Sequence, residues 1–308
     1  MRALTATSVL SLLVGSTILI LLAGGCGRGD RLELRLAISP WLGFEFLYLA
    51  EEKGFFDEEG VNVRIVEYSS LSDTRVAFES GHVNVMACTL IEVLQARDHG
   101  RPSQIVLVTD YSKGADVILA RTNLASMAEL KGRRVGLELG SLGTFMLARA
   151  LQRAGLDLSD VETVSCLPDR MQSALAENRV DAVVTLPPVS IILEAGGQVR
   201  RVFSSVEIPG DVVDVLAVDE PTLRQNPELA LRLARVFQRT LDYTRAHPED
   251  AYKIMAQREG LSAAQFEATL EGIQLVDAAG QSAFLGSAAP WRVATGGNSS
   301  DCHTTGRN

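Results

Sequence analysis

Apolar and polar residues alternate where the folded part of the chain begins. Four apolar residues occupy every second position, which predicts a β-strand: Leu32, Leu34, Leu36 and Ile38. Residues 39–43, with the sequence SPWLG, break this pattern, and residues 44–53 follow with helical spacing. Open α/β sheets bind ligands at the carboxyl ends of their strands, so Trp41 in this turn is a candidate wall of a binding site. The alternative is that Trp41 packs the helix against the sheet.

Strands and helices continue to alternate along most of the chain. Apolar runs predict strands at residues 61–66, 83–87, 104–109, 117–120, 161–166, 180–185, 199–203 and 211–218. Helical periods predict helices at residues 70–80, 89–97, 145–154, 170–177, 227–245, 248–257 and 262–272. Repeated β-α-β units of this length predict an α/β protein with mostly parallel sheets flanked by helices.

The region after the first strand resembles a known family. Its motifs are PWLG at residues 40–43, EKGFF at 52–56 and EGVNV at 59–63. Together they resemble the opening of the nitrate, sulfonate, taurine and thiamine-precursor class of periplasmic binding proteins, over about residues 32–286. The resemblance implies a type II periplasmic-binding-protein fold with two lobes and a ligand cleft. Lobe 1 would comprise residues 32–120 and 212–286, and lobe 2 residues 121–211.

The same resemblance implies a function. Such proteins are the extracytoplasmic receptors of ABC importers, and they deliver a small polar or anionic molecule, similar to a sulfonate, taurine or nitrate, to permease subunits. Two alternatives stay open. One is an enzyme on the same fold, of the thiamine-pyrimidine or menaquinone type, and the other is a ligand-sensing receptor subunit.

The two ends of the chain differ from its middle. Residues 1–26 have one early arginine, an apolar stretch and small residues before Cys26, which is typical of a bacterial lipoprotein signal. Lipidation of Cys26 would place the protein in the periplasm or on the outer face of the cell membrane, with residues 27–31 as a tether. The alternative is simple cleavage of the signal. Residues 287–308 have no periodicity and suggest a disordered tail.

Composition restricts the possible partners. The 308 residues carry a net charge of −9, which argues against a nucleic-acid partner. The four cysteines and four histidines are dispersed, without zinc-type spacing or a nucleophile–base pair, so we predict no metal, no cofactor and no catalytic residue. Cys88 and Cys166 are expected to be buried free thiols.

Residues 140–144, with the sequence GSLGT, form the best candidate site. They lie between a predicted strand and a predicted helix, where backbone N–H groups lack partners and the helix dipole is positive. Ser141, Gly143 and Thr144 could therefore hold an anion. The alternative is that Ser141 caps the helix and Gly143 permits close packing.

Other candidates follow strands or flank the predicted crossovers between the lobes. Thr89 is either a ligand contact or an ordinary helix cap. Carboxylates at a cleft would favour a ligand with an amine or ring N–H, whereas each acid could also be a hinge or surface group. These further candidates for ligand binding are Glu45, Asp110, Tyr111 and Asp214.

Overall fold

The computed structural model of the protein describes residues 33–285, and these form two α/β lobes, each built on its own sheet. The first sheet has six strands, in the order β11-β4-β10-β3-β1-β2. Its strands are β1 (Glu33–Ile38), β2 (Asn62–Glu67), β3 (Val85–Thr89), β4 (Ser103–Ser112), β10 (Val213–Asp219) and β11 (Ile273–Leu275). The predicted two-lobe α/β fold is confirmed.

The second sheet has five strands, in the order β7-β6-β8-β5-β9. They are β5 (Val117–Arg121), β6 (Arg134–Leu137), β7 (Glu162–Ser165), β8 (Ala182–Thr185) and β9 (Val199–Ser204). Both sheets are mixed, where the sequence predicted mostly parallel ones. The strands after the crossovers, β5 and β10, run antiparallel to both of their neighbours, while β1 and β6 pair in parallel with theirs.

Helices cover the sheets. Those of the first lobe are α1 (Glu45–Glu52), α2 (Phe55–Glu58), α3 (Leu71–Glu79), α4 (Leu90–Asp98), α8 (Glu220–Gln225), α9 (Leu229–Ala246), α10 (Pro248–Arg258), α11 (Ala263–Leu270) and α12 (Ala278–Leu285). Those of the second lobe are α5 (Leu142–Arg153), α6 (Pro168–Ala176) and α7 (Val189–Ala195). Short 3₁₀ turns lie at Met127–Leu130, Leu158–Asp160 and Ser205–Glu207.

Polar caps and apolar faces explain why these helices form where they do. Ser70 accepts a hydrogen bond from Asp73 N at the start of α3, as its sequence position predicts. In the first lobe, Phe46 of α1 meets Phe237 of α9 with 6.3 Å between ring centroids, and both side chains are buried. The second lobe buries Met146 and Leu147 of α5 against its sheet.

The chain crosses between the lobes twice, from β4 to β5 and from β9 to β10. The two crossing segments are joined by a hydrogen bond of 2.7 Å between the hydroxyl groups of Ser112 and Ser205. Gly114 N also donates to Ser205 Oγ, over 2.6 Å. These contacts hold the base of the interlobe cleft.

Several predictions need correction. The strand predicted at residues 104–109 is longer in the structure, because β4 continues to Ser112, paired with β10 and β11. Helix α5 begins at Leu142, three residues earlier than its apolar period suggested. Strand β11 and helices α8 and α12 were not predicted. Cys88 and Cys166 are buried free thiols, as expected. Cys26, the tether and the tail at 287–308 lie outside the described residues.

Candidate functional site

A cleft with a volume of about 380 Å³ lies between the lobes. Residues of both lobes line it, and the apolar ones form most of its walls. From the first lobe come Ser39, Pro40, Trp41, Phe44, Ser69, Ser70, Leu71, Thr89, Asp214, Arg258 and Glu259, and from the crossover comes Asp116. From the second lobe come Glu138, Leu142, Pro168, Asp169, Leu186, Pro187, Pro188 and Val189. A cavity shared by two lobes on a hinge is suited to enclosing a small molecule.

Three predicted residues stand in one row across the first sheet. Strand register places Asp214 opposite Thr89 on one side and opposite Asp110 on the other. Directly opposed residues of antiparallel strands present their side chains on the same face. The sheet therefore brings together two carboxyl groups and a hydroxyl that lie far apart in sequence, at the end of the strands that faces the cleft.

Trp41 is fixed over this row by a hydrogen bond. Its indole Nε1 donates to Asp110, at 3.1 Å from Oδ1 and 3.3 Å from Oδ2. Gly43 makes this approach possible, because a Cβ at that position would lie 2.7 Å from Asp110 Cγ. Both alternatives for Trp41 hold in part, since the ring is buried in the first-lobe core and also lines the cleft.

Burial raises the pKa values of the acids at the base of the cleft. The pKa of Asp110 is raised to about 7 and that of Asp116 to about 6, mainly because both carboxyls are withdrawn from water. Burial and the neighbouring Asp110 and Asp116 raise the pKa of Asp214 well above its usual range.

The predicted anion site at residues 140–144 already holds a carboxylate of the protein. Glu92, from α4 of the other lobe, accepts hydrogen bonds from Ser141 Oγ at 2.7 Å and from Leu142 N at 3.2 Å. Its other oxygen accepts bonds from the hydroxyl and the backbone N–H of Thr89. Glu92 is completely buried, and burial raises its pKa. Thr89 thus serves as the cap of α4, with its side chain also lining the cleft.

The other members of that loop have local roles. Thr144 Oγ1 accepts a hydrogen bond of 3.0 Å from Gly140 N. A Cβ on Gly143 would lie 2.9 Å from the backbone oxygen of Glu138, so this glycine permits close packing of α5 on the preceding strand end. Neither residue lines the main cleft, although Gly143 borders a small cavity beside it.

A second carboxylate also bridges the lobes. Glu138 follows β6 in the second lobe, and its Oε1 accepts bonds from Ser72 N at 2.6 Å and from Ser72 Oγ at 2.5 Å. Ser72 lies in the first turn of α3, where free N–H groups favour an anion. Each lobe thus sends one carboxylate to the start of a helix in the other lobe.

Glu45 and Arg258 form a separate group at one side of the cleft. Arg258 Nε donates to Glu45 at 3.1 Å, and Nη2 donates to Glu67 at 3.1 Å. The guanidinium also stacks on the ring of Tyr48. Burial and the neighbouring Glu259 raise the pKa of Glu45 to about 8. Glu45 does not line the main cleft, but it borders a small cavity shared with Arg258.

Tyr111 is not brought to the cleft. Its ring packs against Phe284 of α12 in an edge-on arrangement, with centroids 6.3 Å apart. It alternates along β4 with Asp110, so its side chain points to the opposite face of the sheet. Tyr111 therefore covers the sheet.

Sequence reasoning missed six charged residues of the site: Glu92, Asp116, Glu138, Asp169, Arg258 and Glu259. A signal for Glu92 was available, because Thr89 and Glu92 have the spacing of a capping box, which the structure contains. Arg258 and Asp116 gave no such signal, since each reaches the cleft only through the packing of distant segments.

Residues 33–285 contain neither a membrane-spanning helix nor a cluster of metal-binding side chains. No helix in that range has the length and apolar character needed to cross a membrane. The same residues contain no group of three or more His, Cys, Asp or Glu side chains placed to hold a metal ion.

Comparison with known proteins adds sequence relatives. The NMT1/THI5-like family profile matches residues 41–251. A protein of Brucella abortus named only as a binding protein is 27% identical over 241 residues, covering 74% of this chain and 72% of the relative. The riboflavin-binding protein RibY of Chloroflexus aurantiacus is 27% identical, and the match covers 74% of this chain and 66% of the relative. A 4-amino-5-hydroxymethyl-2-methylpyrimidine phosphate synthase of Aspergillus parasiticus is 25% identical, and the match covers 67% of this chain and 64% of the relative.

Solved structures share the fold. The alkanesulfonate-binding protein SsuA of Xanthomonas axonopodis pv. citri, bound to MOPS, superposes with a TM-score of 0.70 and 19% identity. The match covers 85% of this chain and 92% of that protein. At this identity the likeness concerns the fold, which is that of a periplasmic binding protein.

Proposed function

The chain belongs to the NMT1/THI5-like family, and on this basis we propose that it is the substrate-binding component of an ABC importer. In this role the two lobes enclose a small molecule, and the closed form delivers it to the permease subunits. The observation that carries the proposal is the cleft of about 380 Å³ between two lobes that are joined by two crossover segments.

The contacts between the lobes support a binding role. Glu92 and Glu138 each bridge the lobes, and Ser112 and Ser205 join the two crossings. These three contacts are polar, so they can exchange for water when the lobes separate. A binding protein needs this balance, because its ligand must enter and leave.

A thermal unfolding experiment with a ligand panel tests the proposal. The full chain would be heated with taurine, alkanesulfonates, nitrate, thiamine pyrimidines and riboflavin, each at a high concentration. A ligand at 100 times its dissociation constant adds about 2.7 kcal/mol to the free energy of unfolding, which raises Tm by several degrees. A selective rise supports the proposal. No rise with any compound, in a protein that unfolds cooperatively, contradicts it.

The predicted location also belongs to the proposal. Lipidation of Cys26 would hold the protein on the outer face of the cell membrane, within reach of a permease. Mass spectrometry of the N-terminal peptide tests this, with Cys26→Ala as the variant that should be released from the membrane. Unmodified Cys26 in membrane-bound protein, or an unchanged distribution of the variant, would argue against lipid anchoring.

An enzymatic role is the second candidate, because relatives include pyrimidine phosphate synthases. The base of the cleft holds buried acids with raised pKa values, a property that active sites share. Incubation of the full chain with the ligand that raises Tm, followed by chromatography of the small molecule, separates the two roles. Stoichiometric recovery of unchanged ligand favours the binding protein, and turnover favours the enzyme.

A further inference from the structure

We propose that the cleft selects a ligand with an apolar, flat body and a cationic or N–H-donating group, which pairs with Asp116 and Asp214, and that it rejects anions. This inference rests on the proposed binding function and specifies the ligand class. It argues against the sulfonate- and nitrate-like anions expected from the sequence.

The first observation is that buried acceptor atoms face the cleft without donors. Asp116 and Asp214 line the cleft, and each residue is only 3% exposed. Oδ2 of each accepts no hydrogen bond from an N–H or hydroxyl group within residues 33–285. A buried polar atom without a partner costs free energy, and a ligand that donates to these oxygens would recover it.

The second observation is the balance of charge. Five carboxyl groups line the cleft, namely Asp116, Glu138, Asp169, Asp214 and Glu259, against one guanidinium, that of Arg258. That guanidinium is already paired with Glu45 and Glu67. A ligand anion would therefore meet several acids and no unpaired cation among the described residues that line the cleft, whereas a ligand cation would meet complementary charge.

The third observation concerns the site where an anion would otherwise fit best. The first N–H group of α5 and the hydroxyl of Ser141 bind Glu92 instead. Glu92 is held by Thr89 on its other side, so it is a fixed internal anion at this helix start. A sulfonate or nitrate would have to displace a buried, fully bonded carboxylate.

The shape of the cleft indicates the rest of the ligand. Trp41, Phe44, Leu71, Leu142 and Val189 supply apolar walls from both lobes. The indole is locked by its bond to Asp110, and both aromatic side chains are at least 95% buried. Rigid aromatic walls above an acidic base suit a flat ring that bears donors on one edge.

Three matched probes test the inference: 2-naphthamidine, 2-naphthamide and 2-naphthalenesulfonate. They share one ring system and carry a cation, a neutral amide and an anion. Calorimetry at pH 7 with the full chain should show that the amidine binds at least tenfold more tightly than the sulfonate. Asp116→Asn and Asp214→Asn should each weaken amidine binding about tenfold.

A control acid separates a specific pairing from a general charge effect. Asp98 is exposed at the end of α4 and does not line the cleft, so Asp98→Asn should change the affinity less than threefold. Tighter binding of the sulfonate than of the amidine overturns the inference, as does an unchanged affinity in both buried-acid variants. If all three probes fail while an alkanesulfonate or nitrate of the broader panel raises Tm, the inference is wrong and the binding function stands. If the panel also fails, the binding function falls with it.

Discussion

Oε1 of Glu92, in the first lobe, accepts a hydrogen bond of 2.7 Å from Ser141 Oγ, in the second lobe. The same oxygen accepts a bond from Leu142 N, at the start of a 12-residue helix. A carboxylate at this position compensates the positive end of the helix dipole. One buried side chain thus closes the lobes and fills an anion site.

Glu92→Ala is expected to lower the free energy of unfolding by about 3 kcal/mol, because it leaves several buried donors of both lobes without an acceptor. Glu92→Gln retains one oxygen, so its free energy of unfolding should lie between those of Glu92→Ala and the wild type. Urea unfolding measures both effects. Asp98→Ala, an exposed acid at the end of the same helix, is the control and should change the value by less than about 0.5 kcal/mol. A cost for Glu92→Ala equal to that of the control would show that the bridge contributes nothing.

Trp41→Phe is expected to destabilise the protein more at high pH than at low pH. The indole N–H stabilises the ionised form of Asp110, whose pKa is raised by burial to about 7. At pH 8 the loss should be about 1.5–3 kcal/mol, the usual value for a hydrogen bond to a charged group, and at pH 5 it should be smaller. Urea unfolding at the two pH values gives the difference. Phe44→Leu, in the same wall of the cleft, should lower the free energy of unfolding equally at both pH values. A loss for Trp41→Phe that does not depend on pH would refute the pairing of Trp41 with ionised Asp110.

The sequence predicted these parts unequally. Trp41 and Thr89 were recognised because each follows the end of a strand, and Asp214 because it lies near the return crossover; the topology brings all three to the cleft. Asp110 was found for the same reason, although its strand is longer than its apolar run suggested. Strand pairing with β10 and β11 extends β4 through polar residues, and pairing partners cannot be read from local periodicity.

The donor groups predicted at residues 140–144 bind an acid of the protein, Glu92. The GSLGT sequence does form a helix start with free donors, and local chemistry is sufficient to predict that. The occupant comes from Glu92, 49 residues away from Ser141, on the other lobe. Contacts of this kind depend on how the two lobes pack, and the spacing of residues along the chain does not predict that packing.

Asp116→Asn is expected to stabilise the protein increasingly as the pH rises. The folded-state pKa of Asp116, about 6, lies above the usual value of 3.8, so its ionisation opposes folding. The stability that the protonated acid provides is complete below about pH 4 and is lost as the pH rises through 6. Asp110 and Asp214, which face it, act in the same direction. The free energy of unfolding of the variant should therefore rise relative to that of the wild type by about 3 kcal/mol between pH 4 and pH 7.

Melting temperatures of the two proteins from pH 4 to pH 8 measure this gain. The control is Asp169→Asn, at an exposed acid. Its melting temperature should differ from that of the wild type by the same amount at each pH. A flat difference for Asp116→Asn would mean that this carboxyl titrates as if it were in water.

Gln281→Ala is expected to destabilise the first lobe by about 2 kcal/mol. Val108 N donates to Gln281 Oε1 at 2.9 Å, and Gln281 Nε2 donates to the carbonyl of Val108, so this side chain replaces a missing strand partner. The sequence around it gave no helical signal, which explains why α12 was not predicted. Urea unfolding compares the variant with Ala283→Ser, an exposed change in the same helix. Equal stability of the two variants would contradict the assigned role.

Gly43→Ala is expected to break the contact between Trp41 and Asp110. A Cβ at residue 43 would lie 2.7 Å from Asp110 Cγ and 3.0 Å from Trp41 Nε1, so the aspartate or the indole must move. The strain of overpacking costs about 1–3 kcal/mol, and the displaced indole would no longer form its wall of the cleft. A second change provides the decisive control. Asp110→Ala removes the atoms that the methyl group meets, so the double variant should be more stable than the sum of the single effects, by at least about 1 kcal/mol in a double-mutant cycle. Strict additivity would place the strain of Gly43→Ala elsewhere.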